Sequence, residues 1–72
     1  MNKHLTLKNN IKEKRKEKKY TQTELAEMIG STKNTISALE TGQFAPSAYV
    51  AALLCKVLDC TFEELFFLDL ED

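Results

Sequence analysis

Tryptophan is absent from this 72-residue chain, proline and histidine occur once each, and glycine and cysteine twice each. So little Gly and Pro excludes collagen-like and low-complexity chains. Two cysteines, Cys55 and Cys60, are too few for a disulfide scaffold. A zinc site needs four ligands, and His4 is the single histidine, so no metal is expected. The two thiols read as ordinary buried cysteines, reduced in a cytoplasmic compartment. No stretch approaches about 18 consecutive apolar residues, so no membrane-spanning helix is expected. The basic N-terminus is not followed by an apolar run, so no signal peptide is expected. There is no Ser/His/Asp or Cys/His arrangement and no glycine-rich phosphate loop. The expectation is therefore a protein that is not an enzyme and carries no cofactor or small-molecule ligand.

Length allows one domain over residues 1–72, and excludes a large multi-domain enzyme or a repressor with its own sensing domain. Hydrophobic residues make up 43% of the chain and charged residues 29%, enough for a small core and a solvated surface. The net charge of −1 conceals a division. Residues 1–36 carry nine Lys/Arg and four Glu, a net of +5, and residues 37–72 carry one Lys and seven acids, a net of −6. A pI near 5.8 is low for a nucleic-acid binder. A phosphate backbone responds to the local patch, however, and the first half supplies one.

Apolar spacing and capping residues predict five helices. Leu7 and Ile11 are one turn apart in a Lys/Glu-rich segment spanning 8–18. Thr21-Gln22-Thr23-Glu24 is a capping-box pattern that opens a second helix carrying Leu25, Met28 and Ile29, with Gly30 as its stop. Thr32 caps a third helix over about 33–41, with Ile36 and Leu39 inward and Gly42 at its end. Ser47 opens a fourth, whose Val50, Leu53, Leu54, Val57 and Leu58 form one core stripe. Thr61-Phe62-Glu63-Glu64 is a second capping box, opening a short fifth helix to about residue 67. His4-Leu5-Thr6-Leu7-Lys8 alternates, and suits a short strand against the tail at 67–70. Phe44, in the loop after the third helix, is expected to pack down onto the bundle.

Helices 22–29 and 33–41 meet across Gly30-Ser31-Thr32, the short Gly-containing junction of a helix-turn-helix. Ala26 is small enough for close helix crossing. The outer face of the second helix carries Lys33, Asn34, Ser37 and Thr41, thin and polar enough to enter a major groove about 12 Å wide.

With Thr21 to Ala26, Gly30, Ile36, Leu39-Glu40-Thr41-Gly42 and Pro46-Ser47 in these positions, the chain resembles the phage repressor/Cro-type helix-turn-helix family from about Leu7 to Phe66. The resemblance implies an all-α fold, a compact five-helix lambda-repressor-like domain, with room for a short terminal β pairing. It implies a sequence-specific regulator of transcription binding double-stranded DNA, most simply a repressor on a near-palindromic operator. It implies base reading by Lys33, Asn34, Ser37 and Ala38, and phosphate contacts by Thr21, Gln22, Thr32, Thr41 and Gln43. Arg15 and Glu40 match a structural ion pair. Three positions depart from the family pattern. Ser31 stands where an aliphatic residue is usual, Ala38 replaces a long polar reader, and the 43–47 loop lacks basic residues. Segment 47–70 is expected to form core and dimer contacts, with Phe67, Leu68 and Leu70 as a homodimer interface. The alternatives are an antitoxin-type protein-binding module that also binds DNA, which would want an extra wrapping segment, and a restriction-system control protein.

Overall fold

The computed structural model describes residues 4–71. The order is β1 (His4–Asn9), α1 (Ile11–Glu17), α2 (Gln22–Met28), α3 (Lys33–Glu40), α4 (Ala48–Leu58), α5 (Phe62–Leu65) and β2 (Phe66–Glu71). The five helices gather around Ile11, Leu25, Ala26, Ile29, Ile36, Leu39, Ala51, Leu54, Leu58, Leu65 and Phe66. β1 and β2 form a two-stranded antiparallel ribbon, with Leu5 opposite Leu70, Leu7 opposite Leu68 and Asn9 opposite Phe66.

Local chemistry sets the helix ends. Thr21 and Thr61 each form a complete capping box, with Glu24 and Glu64 returning the bond to the cap backbone. Thr32 and Ser47 accept from Thr35 N–H and Val50 N–H at the starts of α3 and α4. Four C-termini close in the same way. Tyr20, Ser31, Gln43 and Cys60 donate their N–H groups to the carbonyls of Arg15, Ala26, Ala38 and Cys55. Each closure needs a left-handed residue just before the donor. Gly30 and Gly42 supply it at φ 68° and 76°, and Lys19 and Asp59 supply it at φ 62° and 55° without being glycine.

Several details differ from the sequence expectation. α1 begins at Ile11, because residues 8 and 9 belong to β1. Asn9 Oδ1 then accepts from Ile11 N–H, starting the helix one residue beyond the strand. α5 ends at Leu65, and Phe66 is already extended at φ −124°, ψ 145°. The α4 stripe is only partly interior: Leu54, Leu58 and Ala51 are buried, while Val50, Leu53 and Val57 lie at its margins. Phe44 stays 50% exposed and Phe62 53% exposed. Cys55 and Cys60 are half-buried, not enclosed, and both are free thiols.

Candidate nucleic-acid interface

α3 presents two faces. Ile36 and Leu39 are fully buried, and the opposite face carries Lys33, Asn34, Ser37, Ala38 and Thr41. Lys33 and Asn34 are exposed, Ser37 and Ala38 half-exposed. Among the described residues neither the Lys33 ammonium nor the Asn34 amide has a hydrogen-bond or ion-pair partner.

A buried polar knot holds this helix. Arg15 Nε donates to Glu40 Oε2 at 2.7 Å, and Nη2 donates to Glu40 Oε1 at 3.4 Å. Arg15 Nη1 donates to the Tyr20 carbonyl at 2.9 Å. Gln22 Nε2 donates to the same Glu40 Oε1, also at 2.9 Å. The side chains of Arg15 and Glu40 are only 10% and 3% exposed. One carboxylate at the end of α3 thus accepts from α1 and α2 together. Asn9, which carried no signal as a site residue, adds a fourth tie by donating from Nδ2 to the Leu39 carbonyl at 2.9 Å.

The residues matched to phosphate contacts are placed unequally. Gln22 keeps one amide hydrogen after bonding Glu40, and that hydrogen can reach outward. The Thr21 hydroxyl oxygen accepts from Glu24 N–H, which leaves its own O–H available to donate. Thr32 Oγ1 accepts from Thr35 N–H and shares a 3.0 Å contact with Thr35 Oγ1. Gln43 is exposed in the loop after α3. The Thr41 hydroxyl is turned back onto the Ser37 and Ala38 carbonyls at 3.0 and 3.2 Å.

Two further lysines join this surface, and sequence matching missed them. A cleft of about 490 Å³ is lined by Arg15, Lys16, Lys19, Tyr20, Thr21, Gln22, Thr23 and Lys33. It opens where the C-terminus of α1 meets the starts of α2 and α3. The signal was present as the lysine run of residues 12–19, but a run does not say which members point the same way.

Elsewhere the structure offers a shallow apolar groove of about 770 Å³ between α4 and α5, lined in part by Cys55, Cys60 and Phe62. Burial pushes both thiols above their ordinary pKa, and the neighbouring Cys55 adds to the rise at Cys60. No cluster of His, Cys, Asp and Glu among the described residues could hold a metal. No helix among them is long and apolar enough to cross a membrane.

The sequence-expected apolar patch is divided by strand geometry. Side chains alternate across a ribbon, so Leu68 and Leu70 share a face with Leu5 and Leu7, while Phe67 lies on the other face opposite Lys8. Leu5, Leu68 and Leu70 are 62%, 63% and 57% exposed. Phe67 is 44% exposed and lines a separate cleft with Thr6, Lys8 and Thr41.

Comparison with known proteins agrees with this geometry. A helix-turn-helix family model matches residues 11–65. An uncharacterized HTH-type transcriptional regulator of Bacillus subtilis, YgzD, is 36% identical over 66 residues, covering 92% of this chain and all of the relative. An uncharacterized HTH-type transcriptional regulator of Methanothermobacter thermautotrophicus is 45% identical over 60 residues, covering 82% of this chain and 87% of the relative. A crystal structure of a protein from Bacteroides fragilis, proposed to bind DNA, superposes with a TM-score of 0.78 at 29% identity. That match covers 86% of this chain and all of the other.

Proposed function

We propose that this chain, which belongs to the helix-turn-helix family of DNA-binding transcriptional regulators, is a repressor that reads a near-palindromic operator as a homodimer in the cytoplasm. The observation that carries the reading is the state of α3. Its outer face holds an amide and an ammonium with no partner among the described residues, on a helix pinned by a buried ion pair. A polar surface held ready on a rigid support is what base recognition needs.

In this reading α3 enters the major groove. Asn34 offers donor and acceptor together to the N6/N7 edge of an adenine, and Lys33 points at a guanine or the adjoining phosphate. Ser37 lies one turn further along, and Ala38 presents only a methyl, suited to the methyl group of thymine. Gln22, Thr21, Thr32 and Gln43 position the backbone. Occupying the operator blocks polymerase without any activating surface.

A twofold dimer fits the same reading. Leu5, Leu68 and Leu70 lie on one face of the ribbon, and a contiguous exposed apolar face marks a contact surface. A twofold axis closes that contact using the same face from both chains. It also allows two copies of α3 to sit about 34 Å apart, one turn of duplex.

The test selects tight-binding duplexes from a random-sequence pool and then compares Asn34→Ala with wild type at fixed salt. The variant should lose about 1–3 kcal/mol on selected duplexes and little on unselected ones. Equal losses on both would remove Asn34 from base reading.

A further inference from the structure

Both cysteines of the chain, Cys55 and Cys60, line the shallow groove between α4 and α5, and the helix end between them sets their spacing. Asp59 is left-handed at φ 55°, which folds the chain back onto the last turn of α4. Cys60 N–H then donates to the Cys55 carbonyl at 3.1 Å, and Asp59 N–H donates to the Lys56 carbonyl at 3.3 Å. This paired closure sets the residue after the left-handed one against the residue five positions earlier, and their side chains commonly touch. The same two positions hold Arg15 with Tyr20 after α1, Ala26 with Ser31 after α2 and Ala38 with Gln43 after α3. Among these four closures, only the one after α4 brings two thiols together.

Covalent geometry turns that hydrogen bond into a distance. With the Cys55 oxygen and Cys60 nitrogen 3.1 Å apart, the two Cα atoms lie at most about 7 Å apart. A disulfide spans Cα atoms about 4.4–6.8 Å apart, so closure asks for side-chain rotation and not for a change of fold. Electrostatics reflects the same nearness, since a charged Cys55 adds to the pKa rise at Cys60. Both thiols are free, half-buried and open to the groove, where a small reagent can reach them. Burial raises the pKa of each, which leaves the thiols protonated near neutral pH and slow when they act singly. What the fold supplies is proximity, which favours capture of a first adduct by the second thiol.

We propose that Cys55 and Cys60 form a modification site, closed to an intramolecular disulfide by exchange with a low-molecular-weight disulfide of the glutathione type. One thiol loses its proton to solvent, and its sulfur attacks the small disulfide. That S–S bond breaks, a mixed disulfide forms and one small thiolate leaves. The second thiol loses its proton and attacks the cysteine sulfur that carries the adduct. The Sγ–Sγ bond forms, the second small thiolate leaves, and the two released thiolates take up the two protons. Two protein thiols are oxidised and one small disulfide is reduced. The bond ties the last turn of α4 to the residue before the Thr61 cap of α5. The step is independent of the DNA-binding reading.

The test holds wild type, Cys55→Ser and Cys60→Ser in buffers of graded glutathione to glutathione-disulfide ratio. Wild type is treated both folded and in urea. Samples are quenched with acid, alkylated and weighed by mass spectrometry. Folded wild type should end as a monomer lighter by two hydrogens, with neither thiol alkylated and no glutathione attached. Each single variant should stop at one glutathione adduct. The equilibrium constant for closure should be about ten-fold or more larger in the folded chain than in urea. By the same linkage, the oxidised chain should melt above the reduced one. Wild type that collects two glutathione adducts, or pairs between chains, overturns the proposal. Closure no more favourable in the folded chain than in urea also overturns it, since the bond would then follow from sequence spacing alone. The decisive measurements use wild type and stand however either variant folds.

Discussion

Replacing Glu40 with alanine removes one side chain that is 3% exposed and accepts three hydrogen bonds. Arg15 keeps only its bond to the Tyr20 carbonyl, and its guanidinium stays about nine-tenths buried with no counter-charge. Removing one partner of a buried pair costs about 3–5 kcal/mol, because the surviving charge is desolvated and unpaired. Solvent screening reduces this little at such burial. A domain of this size has a total stability of roughly 4–11 kcal/mol, taking about 0.05–0.15 kcal/mol per residue. At about 4–8 °C per kcal/mol, Glu40→Ala should lower Tm by about 12 °C or more. Gln22 loses its partner in the same step, so α3 loosens from both α1 and α2, and DNA affinity should fall even well below the new Tm. Thermal and urea unfolding followed by circular dichroism read the first effect, and duplex titration reads the second. Arg15→Met combined with Glu40→Leu fills the same space with apolar atoms and should recover most of the lost stability. A fall in Tm of less than about 4 °C for Glu40→Ala would match an exposed pair worth under about 1 kcal/mol and would refute the argument.

Two further outcomes follow from the ribbon and the last helix. Leu5→Lys with Leu70→Glu removes two of the three exposed leucines of the ribbon's apolar face while placing opposite charges at a directly paired position. The ribbon keeps a favourable cross-strand pair, so sedimentation should show folded monomers, whereas Phe67→Asp on the other face should leave the dimer intact. A dimeric double variant, or a monomeric wild type, would place the interface elsewhere. Glu64 titrates below the ordinary carboxylate range, first because the Thr61 backbone N–H bonds its charged form and then because the Thr61 side chain does. A depressed folded value means that the capping bond adds stability above the unfolded pKa of about 4.3 and loses it as pH falls through the lower folded value. Carboxylate NMR should place the Glu64 midpoint below the ordinary carboxylate range, and an ordinary midpoint would contradict the cap.

The helix starts were legible because capping is local. Thr21 with Glu24, and Thr61 with Glu64, satisfy one another within three residues. Two of the four left-handed helix ends were legible for the same reason: Gly30 and Gly42 announce a left-handed residue, but Lys19 and Asp59 do not. Their conformation follows from where the chain must go next, which is tertiary information. The start of α1 was obscured because Leu7 and Ile11 satisfy helical spacing, yet Leu7 packs against the core from a strand. Phe67, Leu68 and Leu70 read as one patch along the chain, and only the β1–β2 register shows that they occupy two faces. Within the interface, the outer face of α3 could be read from spacing. The cleft that gathers Lys16 and Lys19 with Lys33 could not, since it depends on how α1 stops.

The division of charge along the chain acquires a physical role once folded. The basic first half supplies α1, α2 and most of the reading surface, while Asp59, Glu63, Glu64 and Asp69 lie exposed on the later elements. A molecule with a net charge of −1 gains little from overall attraction to DNA. Its charge is divided along the chain, yet the two signs also meet in space, since Lys18 at the end of α1 pairs with Asp59 at 3.7 Å. The same economy limits non-specific affinity, which grows with every phosphate neutralised. In the reading proposed above, a chain with few phosphate contacts would depend more heavily on Asn34 and its neighbours for discrimination, and on the buried Arg15–Glu40 pair to hold α3. A low overall pI is therefore compatible with the proposed reading, because a rigidly held α3 would supply selectivity that does not depend on bulk positive charge.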